Sequence, residues 1–113
     1  MKFSYQTEKF SVARSALMLP HPRGESESIA SAFHACSLGL HDLNIDSLDD
    51  NARDWVSQIK AFIDTTDLSD PDDRGLWAVK ADLLTEEQKF ELSRVVDELA
   101  CYFRQEFWST SAG

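Results

Sequence analysis

The spacing of apolar residues predicts helices along most of the chain. From Thr85 onward Leu92, Val95, Val96, Leu99, Ala100, Tyr102, Phe103 and Phe107 gather on one face at about 100° per residue, the period of an α-helix. Thr85-Glu-Glu-Gln88 can cap its start reciprocally, hydroxyl to amide and side-chain amide to amide; the helix is expected to reach about Trp108. Leu48, Ala52, Trp55, Val56, Ile59, Phe62 and Ile63 form a second stripe, opened by a cap within Ser47-Leu-Asp-Asp50 and ending near Thr66. A third helix lies between Glu25 and Asp42, with Ile29, Ala32, Phe33, Cys36, Gly39, Leu40 and Leu43 inward. Its small residues Ala32, Cys36 and Gly39 invite close approach of a neighbour.

The first segment carries two competing stripes. Phe3, Phe10, Ala13 and Leu17 make one, with Thr7 as a cap, and Val12, Ala16 and Leu19 make the other; a short strand over Lys2 to Gln6 is the alternative. Between Asp67 and Leu84 an acidic turn, DLSDPDDRG, precedes LWAVKADLL, enough for one or two helical turns. The expected fold is all-α, an up-and-down bundle of four main helices plus a minor short helix, in a single domain spanning residues 1–113.

Composition agrees with that picture and narrows the function. The 113 residues are 42% hydrophobic and 27% charged, ordinary globular values that permit one core. Twenty acidic against eleven basic residues give a net charge of -9, which repels nucleic acid and suits a protein partner, a basic one included. No apolar run is long enough to span a membrane, and MKFSYQTEKF has no apolar signal core, so a cytoplasmic location is expected. Cys36 and Cys101 stand far apart without metal-binding spacing and are expected to be reduced thiols.

Few residues offer chemistry. An EF-hand loop aligned with Gly75 at its sixth position finds Asp70 and Asp72 in place, but Arg74 at the fifth and Ala81 where a bidentate glutamate is required. Glu27, His34 and His41 recur every seven residues, about 10 Å apart along a helix, too far for neighbours to share a metal, so they form a polar face. No metal or cofactor is expected, and no nucleophile stands beside a base.

The linker Leu19-Pro-His-Pro-Arg-Gly-Glu-Ser-Glu-Ser28 is explained as a joint at every position except His21 and Arg23. These two cations, with Glu25, form a candidate anion-binding site near a helix start. The segment from Arg14 to His21, RSALMLPH, resembles the arginine-to-histidine motif of small helical ribonucleases of the HEPN class, which implies a phosphate-directed enzyme. Pro20 and Pro22 flank the histidine, however, and keep it off the helix of Arg14.

The last helix has a second apolar line. Phe90, Cys101 and Trp108 fall within about 20° of one another, nearly opposite the Leu92, Leu99 and Phe103 stripe, with Arg94, Asp97 and Arg104 around them. Either the bundle covers this line or another chain does, as a protein partner or in a homodimer. A protein-interaction or regulatory module is the leading expectation, and a ligand-binding protein or enzyme built on His21 and Arg23 is the alternative.

Overall fold

A computed structural model gives the fold and describes residues 3–18 and 24–112, with side chains as far as residue 109. Helix α1 spans Ser4–Leu17, α2 Glu25–Leu40, α3 Asp50–Ile63, α4 Leu76–Leu83 and α5 Glu86–Ala112, with a single 3-10 turn at Ile45–Ser47. The described residues are all helix, turn and loop, so the expected bundle of four main helices and a short one is present. Residues 4 to 6 are helical, not strand; Lys2 lies outside the described residues.

Two helices begin at a local side-chain cap. The Thr85 capping box closes as the sequence predicts: the Gln88 amide donates to the Thr85 hydroxyl at 3.1 Å, and the Thr85 amide donates to Gln88 Oε1 at 2.8 Å. The cap of α3 is Asp49, whose carboxylate accepts from the Ala52 amide at 2.8 Å. Ser47 instead closes the preceding turn by donating its hydroxyl to the Asn44 carbonyl.

The start of α1 differs from expectation. Thr7 is not its cap; the helix begins three residues earlier, after Phe3 in a left-handed conformation. Phe3 packs edge-on against Phe103, with ring centroids 5.1 Å apart, and the Thr7 hydroxyl donates to the Phe103 carbonyl at 3.1 Å. Tertiary contacts with α5 therefore set this end, outweighing the missing cap.

One contiguous core unites the helices. Phe10, Phe33, Val56, Ile59, Leu92, Val95, Val96, Leu99 and Phe103 are fully buried within it. In α1 the stripe of Phe10 and Ala13 wins, while Val12 is left half exposed. Helix α2 packs against α1, α3 and α4, and α5 against α1 and α3. Gly39 permits the close α1–α2 contact: a Cβ there would lie 2.8 Å from a ring carbon of Phe10. Across the bundle, the Trp77 indole donates to the Ile63 carbonyl at 3.1 Å, tying α4 to the exposed end of α3.

Ends shift from the sequence expectation in both directions. Helix α3 stops at Ile63 and α5 continues to Ala112. The aspartate-rich turn is held by Asp70, whose carboxylate accepts from the amides of Arg74 at 2.9 Å and Gly75 at 2.6 Å. That carboxylate is occupied with backbone, as a turn requires.

Candidate functional site: a groove between the first and last helices

Helices α1 and α5 run antiparallel. Phe3 and Thr7 lie beside Phe103, whereas Arg14, about two turns after Thr7, forms an ion pair with Asp97 at 2.6 Å. On the outer side of this contact two depressions adjoin, both lined by Arg14 and Asp97. One, of about 390 Å³, is lined further by Leu17, Met18, Phe90, Ser93, Arg94 and Val96. The other, of about 150 Å³, is lined by Thr7, Ser11, Ala100, Cys101 and Arg104. Together they make a groove running from residue 90 to residue 104 of α5, about 21 Å at the helical rise.

The second apolar line of α5 borders this groove. Phe90 is 73% exposed on its rim. Cys101 is half-buried in its wall, and its sulfur accepts from the Gln105 side chain at 3.4 Å. Trp108, 61% exposed, continues the line beyond the groove, its ring edge-on to Phe107 at 5.4 Å. Met18, 58% exposed, stands on the facing wall. The bundle thus leaves Phe90 largely exposed while Phe103, on the opposite side of the same helix, is fully buried.

Charge around the groove is locally mixed. Arg14 holds Asp97, and Arg94 donates to Glu91, keeping that carboxyl below its usual range. Arg104 has no ion-pair partner among the described residues. Among the described residues none of the side chains lining this groove is a histidine, and its one carboxylate is engaged by Arg14. Among the residues lining the groove, none stands as a base beside the Cys101 thiol.

Other sequence candidates fare differently. His21 and Arg23 lie outside the described residues. Glu25, the third member of that candidate site, opens α2 and is paired with Lys89 of α5. Gly24 before it has φ +97°, the backbone freedom expected of that joint. Ser26 donates to Asp82, which Arg74 also holds; Arg74 first and Ser26 second lower the Asp82 carboxyl below its ordinary value. Helix α1, which carries Arg14, ends at Leu17. Within the fold Arg14 serves Asp97.

The polar line of Glu27, His34 and His41 is exposed, with His34 beside the Trp77 ring at 5.9 Å between centroids. A broader depression of about 610 Å³ lies there, bordered by Lys9, Val12, Leu38 and Trp77. It is larger than either part of the α1–α5 groove, but its main aromatic, Trp77, is already half-buried and hydrogen-bonded. The more exposed aromatic surface is on α5. Sequence periodicity located Phe90, Cys101 and Trp108 but missed Leu17 and Met18, which reach the groove only because α1 lies antiparallel to α5.

Fold and surface together define a class: an all-helical bundle with an aromatic-rimmed groove between its first and last helices. No family model matches the chain, nor does any curated protein or any solved structure. No helix among the described residues is long and apolar enough to cross a membrane.

Proposed function

We propose that this chain is a protein-interaction module that binds through the α1–α5 groove, with Phe90 as its anchor. The observation carrying this is the 73% exposure of Phe90 beside an apolar depression formed by Leu17, Met18 and Val96. Covering a side chain of that size contributes on the order of 2 kcal/mol, and aromatics at the centre of an interface commonly dominate its affinity. The groove is lined by Arg14, Arg94 and Arg104 against Asp97 alone, so a partner meets locally basic surface there despite the acidic excess of the molecule. Two free thiols, one fully buried and one half-buried, suit a cytoplasmic setting, where cysteines stay reduced.

Photo-crosslinking tests the assignment. A photoreactive amino acid at position 90, irradiated in the native cell, yields a discrete protein adduct, whereas the same residue at the exposed Ser57 on α3 yields none. Equal labelling from both positions, or no discrete adduct from position 90, overturns the groove as the binding surface.

A further inference from the structure

We infer that the groove takes an acidic segment of another protein, whose carboxylates meet Arg14, Arg94 and Arg104 while an apolar side chain enters the depression beside Phe90. The inference rests on the groove being an interaction surface and specifies the chemistry of what fills it. Charge carries it. In a chain of net charge -9, the groove is lined by three guanidiniums against the single carboxylate of Asp97. The patch thus has the opposite sign to the molecule around it, and complementary charge is what admits one partner and turns others away.

Much of the donor capacity of these arginines is unspent. A guanidinium has five N–H donors in a fixed fork and holds a carboxylate best with two of them. Arg14 meets Asp97 through Nε, at 2.6 Å, which leaves its terminal nitrogens for a second acceptor. Arg94 turns Nε and Nη2 to Glu91, a residue outside the lining, and keeps Nη1. Arg104 keeps its whole fork, having no ion-pair partner among the described residues.

The layout of the groove orders the ligand. Leu17, Met18, Phe90 and Val96 gather in the part of about 390 Å³, with Arg94 on its border; Arg14 belongs to both parts, and Arg104 to the part of about 150 Å³. Arg94 and Arg104 stand ten residues or about 15 Å apart on α5, a span that an extended segment crosses in about five residues. The expected pattern is therefore a leucine or aromatic residue with aspartates or glutamates within about five positions of it. A nucleic acid carries the same sign of charge, but at every phosphate, and those beyond the groove meet the acidic remainder of the molecule. A peptide confines its carboxylates to the arginines and also supplies the apolar side chain.

Selection from a phage-displayed library of random twelve-residue peptides, with the purified full chain as bait, separates the groove from the pull of the whole molecule. The two have opposite signs: the net charge favours basic peptides, the groove acidic ones. Recovered sequences are expected to be net negative and to carry Leu, Phe or Trp. A synthetic peptide of the commonest sequence is expected to bind Arg104→Glu about tenfold more weakly, and Phe90→Ala by a similar factor. Both positions are exposed, and helical circular dichroism checks that each variant is folded.

Neutral or basic recovered sequences overturn the acidic partner, as does binding that Arg104→Glu leaves intact. A thymidine oligonucleotide that displaces the peptide at equal concentration overturns it in favour of nucleic acid. In light scattering, a mass of 12.8 kDa for the free chain supports a separate partner; a dimer that Arg104→Glu dissolves puts a second copy in the groove and overturns it. If position 90 captures a protein in cells through a neutral or basic segment, the interaction module stands and only the acidic partner falls; if it captures nothing, both fall.

Discussion

At the residue scale, burial gives two cysteines opposite characters. Cys36 is fully buried in the core, and desolvation of its thiolate pushes its pKa up to about 12. Cys101 remains partly accessible. Because the folded Cys36 keeps its proton to higher pH than the unfolded thiol, its contribution is complete below about pH 9 and is lost as pH rises toward 12. Urea titrations between pH 8 and 10.5 are expected to show stability falling less steeply with pH in Cys36→Ala than in the parent. Parallel slopes would show that Cys36 does not couple folding to alkaline pH.

Between elements, the decisive contact is the crossing of α1 and α2. Gly39 costs helix propensity of about 1 kcal/mol, yet a Cβ in its place would meet the fully buried Phe10 ring at 2.8 Å. Gly39→Val regains little propensity and forces that ring aside, so a loss of about 2 kcal/mol is expected by chemical denaturation. Unchanged stability would mean that the α1–α2 contact has slack. Packing between elements also shows why the start of α1 resists sequence rules. That end is fixed by Phe3 on the Phe103 ring and by Thr7 on the Phe103 carbonyl, the latter 96 positions away along the chain.

Over the whole molecule, the acidic excess acts on a body 50 × 29 × 24 Å across. Arg53, Arg74, Lys89 and Arg94 are each committed to nearby carboxylates, and the net charge of -9 persists after such pairing. Screening lengths fall from about 30 Å at 0.01 M salt to about 8 Å at 0.15 M, so only the dilute buffer lets repulsion act across the molecule. Exposed pairs are individually weak, and relief of the long-range repulsion outweighs what salt takes from them. The melting temperature is expected to rise by about a few degrees between those salt concentrations, as thermal circular dichroism would register. A fall would show that the local pairs outweigh the net charge.

The sequence by itself determined helices α2, α3 and α5 with their buried faces, the reciprocal cap at Thr85 and the second apolar line on α5. These follow from a period of 3.6 residues and from hydrogen bonds a few positions long, both written locally. It also singled out Gly39 as a close-approach position, because a small residue on an apolar stripe has few other uses. Only the tertiary structure decided which stripe of α1 is inward, that Thr7 serves α5 instead of capping its own helix, and that Leu17 and Met18 face Phe90. A groove needs two walls, and here they come from opposite ends of the chain. Its existence depends on the antiparallel docking of α1 on α5, a choice made by the total packing of the core and carried by no local pattern.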